Sequence, residues 1–255
     1  MNGAYYNEID PYAAQWLRNL IAAGHIAPGD VDERSIVDVR PDDLRGYRQC
    51  HFFAGIGGWS RALRLAGWPD ERRIWTGSCP CQPYSVASVA VGGAQGQSDE
   101  RHLWPPFFGL VRECRPSELL GEQVESALKW GWWDGVALDL EAEGYACGAA
   151  VLRSDVWGHE RKRLYWLAVA GREGRQGHQP VEGLPVAAGE TFTFDGDVLA
   201  GARRALDGDY SHLLLDDGVS IAVERCAAKG YGNAISPPVA AEFIRAYREM
   251  TNGQC

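Results

Sequence analysis

Cys81 is the residue of this chain whose setting most suggests a nucleophile. It stands between Pro80 and Gln82, just past a predicted strand and ahead of a stretch, residues 84–98, rich in Ser, Ala, Val and Gly without period. A thiolate in such a place is reachable and adds to electron-poor carbon. Most single cysteines are nonetheless inert, half-buried thiols, and that reading stands until other residues argue against it. Cys79 and Cys81 together suggest a metal, but no second pair and no His partner stands at ligand spacing, so none is expected. A second feature is Phe53-Ala54-Gly55-Ile56-Gly57-Gly58, between an apolar strand and a helix. Glycines there let the backbone approach a ligand beside helix-terminal N–H groups, although a plain tight turn has the same composition. As a dinucleotide fingerprint it is poor. The third glycine is adjacent, and no acid lies about 20 positions downstream, so a nicotinamide is not expected. Glu122 closes a predicted strand and by itself reads as a solvated carboxylate. Arg161 and Arg163 share parity, so in a strand they face one side, as a basic edge in water also would.

These residues need a frame, and the pattern supplies an α/β one. Ala4–Asn7 reads as a strand. Asp10 reads as an N-cap with Pro11 at the first helical position, and Trp16, Leu17, Leu20 and Ile21 share a face that stops at Gly24. A loop with Pro28-Gly29-Asp30 follows, then a polar, helix-compatible stretch to about Tyr47. The spacing then predicts a strand at Cys50–Phe53, a helix from Trp59 to about Ala66, a strand at Arg73–Thr76 and a helix over Leu103–Cys114. It goes on to a strand at Glu118–Gly121, a helix over Asp134–Gly144, paired late strands at Ala149–Leu152 and Leu164–Ala168, and a closing helix, Pro237–Met250. Strand and helix alternate, which favours a parallel sheet with helices on both faces. From Gly171 to about Gly218 the texture turns to Gly, Pro and short polar pieces. The expected division is therefore 1–170 with 219–255 as the main domain and 171–218 as a small second unit.

The 255 residues suffice for one such domain with a small appendage. Seven cysteines, odd in number and irregularly spaced, suggest reduced thiols. No apolar run approaches the ~20 residues that span a bilayer, and no signal-peptide pattern follows Met1, so a cytosolic protein without a membrane partner is expected. The net charge of −9 argues against non-specific coating of nucleic acid, while leaving room for one local basic face.

Taken together, the motifs resemble those of the DNA cytosine-5 methyltransferase family. Phe53–Gly58 looks like its cofactor-binding FxGxG, and Pro80-Cys81-Gln82 matches its catalytic Pro-Cys-Gln. Asp99–Leu103 resembles the segment after its catalytic loop, and Glu122-Gln123-Val124 stands where the family has Glu-Asn-Val. His159–Arg163 stands where it has Gln-x-Arg-x-Arg, and Gly232-Asn233-Ala234-Ile235 resembles Gly-Asn-Ser-Val. The resemblance implies a Rossmann-like sheet that binds S-adenosylmethionine. One departure is large. Only Trp59–Ser78 separates the glycine motif from Pro80-Cys81, where the family has a strand, a helix and another strand. Asn7-Glu8-Ile9-Asp10-Pro11-Tyr12-Ala13 and Gly29-Asp30-Val31 resemble the missing pieces, so the order reads as circularly permuted, with the second and third strands first. The helix after Gly58 would then lead to the fourth strand, and a right-handed crossover would set it on the opposite sheet face.

By that resemblance Glu8 would bind the cofactor ribose and Asp30 its adenine, with Phe53, Gly55, Ile56, Gly57, Gly58, Ile9, Val31, Pro80, Leu103, Asn233 and Ala234 lining the site. Cys81 would add to cytosine C6 while a protonated Glu122 holds N3 and the amine, which calls for a raised pKa. Arg161 and Arg163 would donate to O2 of a flipped-out base. Gln82, Ser85, Arg101, Arg172, Arg175, Arg203 and Arg204 would meet double-stranded DNA, the last four from a small target-recognition region at 171–218. So small a reader implies a short site or a specificity partner, and the resemblance leaves a restriction partner unknown. The expected setting is a bacterial cytoplasm, with phage or prophage origin left open. Rival readings keep the fold for a tRNA cytosine, or keep DNA binding and lose catalysis, for which Gln123 and His159 leave room.

Overall fold

The computed structural model describes residues 3–80, 103–154, 162–171 and 235–252. Seven strands form one sheet: β1 (Ala4–Asn7), β2 (Gly29–Asp32), β3 (Gln49–Phe52), β4 (Ile74–Gly77), β5 (Glu118–Val124), β6 (Tyr145–Arg153) and β7 (Lys162–Ala170). The helices are α1 (Pro11–Ala22), α2 (Gly58–Leu65), α3 (Trp104–Cys114), α4 (Trp132–Ala142) and α5 (Pro237–Asn252), with 3-10 turns at Ile36–Asp38, Pro41–Leu44 and Glu125–Trp130. Asp10 caps α1 as its type predicts, its Oδ1 accepting from the N–H of Tyr12 at 2.9 Å and Ala13 at 3.3 Å. Gly29–Asp32, where the local pattern reads Pro28-Gly29-Asp30 as a loop and the permuted order expects a strand, is an edge strand parallel to β1. A four-residue strand with two acids carries little periodicity, and pairing with β1 decides it. The stretch read as helix-compatible holds only the first two 3-10 turns.

The sheet order is β2-β1-β3-β4-β5-β7-β6. The first five positions are mutually parallel, and β7 runs antiparallel to both β5 and β6. On one face Ala4, Tyr6, Ile74, Leu120 and Tyr165 carry α1, α2 and α5. On the other Phe52, Trp75, Leu119 and Trp166 carry α3, α4 and the first two 3-10 turns. This corrects one expectation. Helix α2 lies on the same face as α1: Tyr6 Oη meets Ser60 Oγ at 3.0 Å, and the Arg64 guanidinium donates to the Gly24 carbonyl at 2.7 Å.

The consequence is topological. The β1–α1–β2 crossover steps toward one sheet edge and β3–α2–β4 toward the other, with both helices on one face, so the two have opposite hands. The connections β2-to-β3 and β4-to-β5 step toward the second edge over the other face and share the hand of the first. With right-handed crossovers the rule, β3–α2–β4 is the left-handed exception. What holds α2 there is burial. Trp59, Ala62, Leu63 and Ala66 pack with Val239, Ala240, Phe243 and Ile244 of α5, and Gly58 leaves room for Ile235, whose Cγ1 is 2.7 Å from where a Cβ would stand.

Beneath α2, His51 is buried in the sheet and stacked on Tyr6. Its Nδ1 lies 2.8 Å from Thr76 Oγ1 and its Nε2 3.2 Å from Gln49 Oε1. Because the Gln49 amide donates to the Pro69 carbonyl at 3.2 Å, Oε1 faces the ring, which assigns the proton to Nε2. Burial pushes the imidazole down to about 3, against a weak opposing pull from Asp70. The unfolded chain therefore takes up a proton near pH 6.5 that the folded one refuses. This stability is present above pH 6.5 and is lost as pH falls toward 3, at about 1.4 kcal/mol per unit. Urea unfolding at pH 7 and 5 is expected to show a drop of about 2 kcal/mol that His51→Phe lacks. Equal drops in the two proteins would clear His51 of the effect.

Candidate active site

The functional residues gather where the parallel strands end, the edge at which open α/β sheets bind ligands. After β3 the chain turns through Phe53, whose φ is 53°, and Gly55, whose φ is 54°. Among the described residues nothing lies within 4 Å of where a Gly55 Cβ would stand, so the turn is open to a close approach. Gly57, with φ 81°, caps α2 and packs on Leu17 of α1 and on Ile26 beyond that helix. Across from this turn, Glu8 leaves the end of β1. Its Oε2 accepts from the Gly55 N–H at 2.7 Å and its Oε1 from the Asp10 N–H at 2.9 Å. The Ala54 N–H donates to the Asn7 carbonyl at 3.0 Å, closing the same contact from the backbone. Ile9, beside Glu8, is 63% exposed. A carboxylate, an open glycine turn and an uncovered apolar side chain thus share one lip.

Asp30 and Val31 sit further back. Asp30 pairs in register with Tyr5, so it is about 10 Å along the strands from Glu8. Its carboxylate accepts from the Tyr47 hydroxyl at 2.6 Å. Val31 packs against the α1 core, and Ile56 is half-buried. Nearer the lip is Asp32, which accepts from Tyr5 at 2.7 Å and from the Arg34 guanidinium, whose second partner is Asp43. Those bonds hold the Asp32 carboxyl below the usual range against the opposing effect of burial. Asn7, given no role from sequence, donates to the carbonyls of Asp32 and Arg34 and so ties β2's exit to β1.

The second lip forms where β4 and β5 part. Their last registered pair is Gly77 and Gly121. Each glycine makes room for a ring: Phe107 Cε1 lies 2.6 Å from the Cβ position of Gly77, and Trp166 atoms 2.1 Å from that of Gly121. Beyond this point β5 continues with β7, while β4's chain departs through Ser78, Cys79 and Pro80. Ser78 Oγ accepts from Trp59 Nε1 at 3.0 Å, and the Cys79 carbonyl accepts from Gln123 Nε2 at 3.3 Å. Cys79 is buried, and burial pushes its thiol far up, which makes it a packing residue. Leu103 caps α3 and packs on the same core.

On β5, Glu122 is registered opposite Tyr165, and Val124 opposite Arg163, which puts Glu122 and Arg163 on one face one step apart. Arg163 Nε meets Glu122 Oε1 at 2.6 Å, with side chains 19% and 7% exposed. Lys162 pairs with Glu125 at 3.6 Å beside it. Cys81, Gln82, Ser85, Arg101, Arg161, Arg172, Arg175, Arg203, Arg204, Asn233 and Ala234 lie outside the described residues. Among those described, no group of three or more His, Cys, Asp or Glu could hold a metal ion, and no helix is long and apolar enough to cross a membrane.

The chain forms a seven-stranded α/β sheet with one antiparallel strand and helices on both faces. Residues 67–182 match the family model described as C-5 cytosine-specific DNA methylase. The match takes in Cys81, Glu122 and Arg163 and stops short of Glu8 and the glycine turn. Comparison with curated proteins gives no match. Among solved structures the chain is similar to the S. pombe Dnmt2 methyltransferase at 13% identity, covering 99% of this chain and 100% of that one, TM-score 0.47. It is also similar to the Entamoeba histolytica methyltransferase EhMeth at 16% identity, covering 78% and 57%, TM-score 0.42. An E. coli DNA modification methyltransferase encoded within a prophage shares 17% identity over 66% of this chain, TM-score 0.42. The chain spans 40% of the length of that last protein.

Proposed function

We propose that the chain transfers a methyl group from S-adenosylmethionine to C5 of cytosine in DNA, with Cys81 as nucleophile. The observation that carries this reading is the split between β4 and β5. One side leads through Ser78-Cys79-Pro80 to Cys81, and the other presents the Glu122–Arg163 pair. Nucleophile and acid are needed on two edges of one pyrimidine ring, and the split offers that arrangement. The Cys81 thiolate would form a bond to C6, with the displaced electron pair moving toward N3, where Glu122 would supply a proton. Arg163 would hold O2. C5 then becomes enamine-like. When bound, S-adenosylmethionine supplies the electrophilic methyl carbon. As C5 bonds to that carbon, the methyl–sulfur bond breaks with its electron pair left on sulfur; the C5 proton then passes to water, the N3 proton returns to Glu122, and Cys81 departs as thiolate, which restores the ring. A cytosine stacked in duplex DNA reaches such a site only when flipped out.

The first lip fits the cofactor. Glu8 offers carboxylate oxygens to a ribose, the open space at Gly55 admits a close approach, and exposed Ile9 offers an apolar wall to a purine. We read the chain order as permuted on the same grounds, since β1 and β2, ahead of the glycine turn in sequence, lie together on one side of β3 in the sheet. Asp30 at the adenine and 171–218 as target reader belong to the same reading. Glu8→Gln keeps the shape but points an amide donor at a backbone N–H, so cofactor affinity is expected to fall at least about tenfold. Calorimetric titration checks this, and an unchanged Kd would remove Glu8 from the site.

The reading itself is tested by transfer of labelled methyl to mixed-sequence duplex DNA and, in parallel, to folded tRNA. Label recovered as 5-methylcytosine in DNA supports it. Label in RNA alone moves the substrate to RNA, and a chain that neither transfers nor binds the cofactor overturns it. Footprinting would test the small reader: a long, well-defined site for the lone protein would argue against it.

A further inference from the structure

We propose that Gln123 is a positioning residue that sets the separation between the nucleophile segment and the acid, an inference that rests on the cytosine reading above. The ladder between β4 and β5 ends at Gly77 and Gly121. Past it, among the described residues, no further backbone pair joins the two strands. Gln123 spans the gap with its side chain. Its Nε2 donates to the Cys79 carbonyl at 3.3 Å, and its Oε1 accepts from the Val124 N–H at 2.9 Å. The second bond matters as much as the first, because it fixes which end of the amide points across the split. The residue is 2% exposed, so water does not compete for either bond.

The location gives this bond its consequence. Cys79 is two residues before Cys81, and Gln123 follows Glu122 directly. A single side chain therefore ties the segment bearing the nucleophile to the strand bearing the acid. On the far side Trp59 Nε1 holds Ser78 Oγ at 3.0 Å, so the segment is anchored to α2 and to β5 at successive residues. Where the related motif has asparagine, glutamine carries one more methylene, and that extra reach suits a gap bridged by side chain instead of ladder. A shift of about 1 Å between reacting groups is enough to slow a reaction on the order of 100-fold.

The test uses duplex DNA in which 5-fluorocytosine replaces the target base. Cys81 adds to C6 and the methyl arrives at C5, but fluorine cannot leave as the proton does, so protein stays covalently bound and is counted on a denaturing gel. The rate of trapping reports how well Cys81 and Glu122 meet the ring. For Gln123→Leu the expected result is trapping and kcat slowed together about 10–100-fold, with cofactor Kd unchanged. Gln123→Asn, which retains a shorter donor, should recover part of that loss, and Gln123→Glu, which has none, should not. Unaltered trapping in Gln123→Leu, or Gln123→Asn no better than Gln123→Leu, would overturn the proposal while leaving the cytosine reading intact. Failure of the wild-type protein to trap would overturn both. A cofactor Kd that weakens in step with trapping would mark general damage to the fold and count against a positioning role.

Discussion

Cys81→Ala is expected to abolish methyl transfer, by on the order of 10⁴-fold or more, while leaving cofactor affinity as it was. Without the thiolate nothing adds to C6, and C5 stays too poor a nucleophile to be methylated. The control is two residues away. Cys79 is 6% exposed, its thiol driven far up by burial, and its carbonyl, not its sulfur, makes the contact with Gln123. Cys79→Ala should therefore cost about 1 kcal/mol of packing and leave kcat within a few-fold. Labelled-methyl incorporation measures both variants on one gel. If Cys79→Ala were dead and Cys81→Ala active, the nucleophile would be misassigned and the family motif misleading here.

The second large effect lies at the Glu122–Arg163 pair. With the two side chains 7% and 19% exposed and 2.6 Å apart, removing the arginine takes a close opposite charge away from a largely buried carboxylate. Arg163→Ala is expected to destabilise the protein by about 2–4 kcal/mol, less than a wholly enclosed pair because the guanidinium reaches water. Adding Glu122→Gln removes the charge that the arginine faced, so the double variant should be more stable than Arg163→Ala, by a coupling of about 1–3 kcal/mol in urea unfolding. Activity should not follow stability. Each single change is expected to lower kcat on the order of 10²-fold or more, and the double variant should regain none of it, because the ring then lacks both its acid and its O2 donor. Additive stabilities would show that the pair is not coupled in solution.

Much of this molecule was legible from residue types alone. Asp10-Pro11 declared the start of α1, because a capping carboxylate and a residue without an N–H suit the unpaired end of a helix. The glycine cluster after β3 declared a turn into α2, while Glu8, Cys81, Glu122 and Arg163 became candidates only through the motifs that resemble a known family. Local chemistry is visible to a linear reading, since backbone geometry and side-chain type act within a few residues.

What stayed hidden depended on distant partners. That Gly29–Asp32 is a strand against its loop-like local pattern is decided by β1, twenty-odd residues away in sequence. That α2 stays on the face of α1, against the usual hand, is decided by apolar residues of α5 nearly two hundred positions later. Asn7, Gln123 and the Trp59–Ser78 contact carry no sequence signal, since each works through a hydrogen bond to a segment the chain reaches only after folding. The sequence by itself determined which groups could do the chemistry. Only the tertiary structure decided which of them meet, because hydrogen bonding across a parted sheet and burial between remote helices are properties of the folded whole.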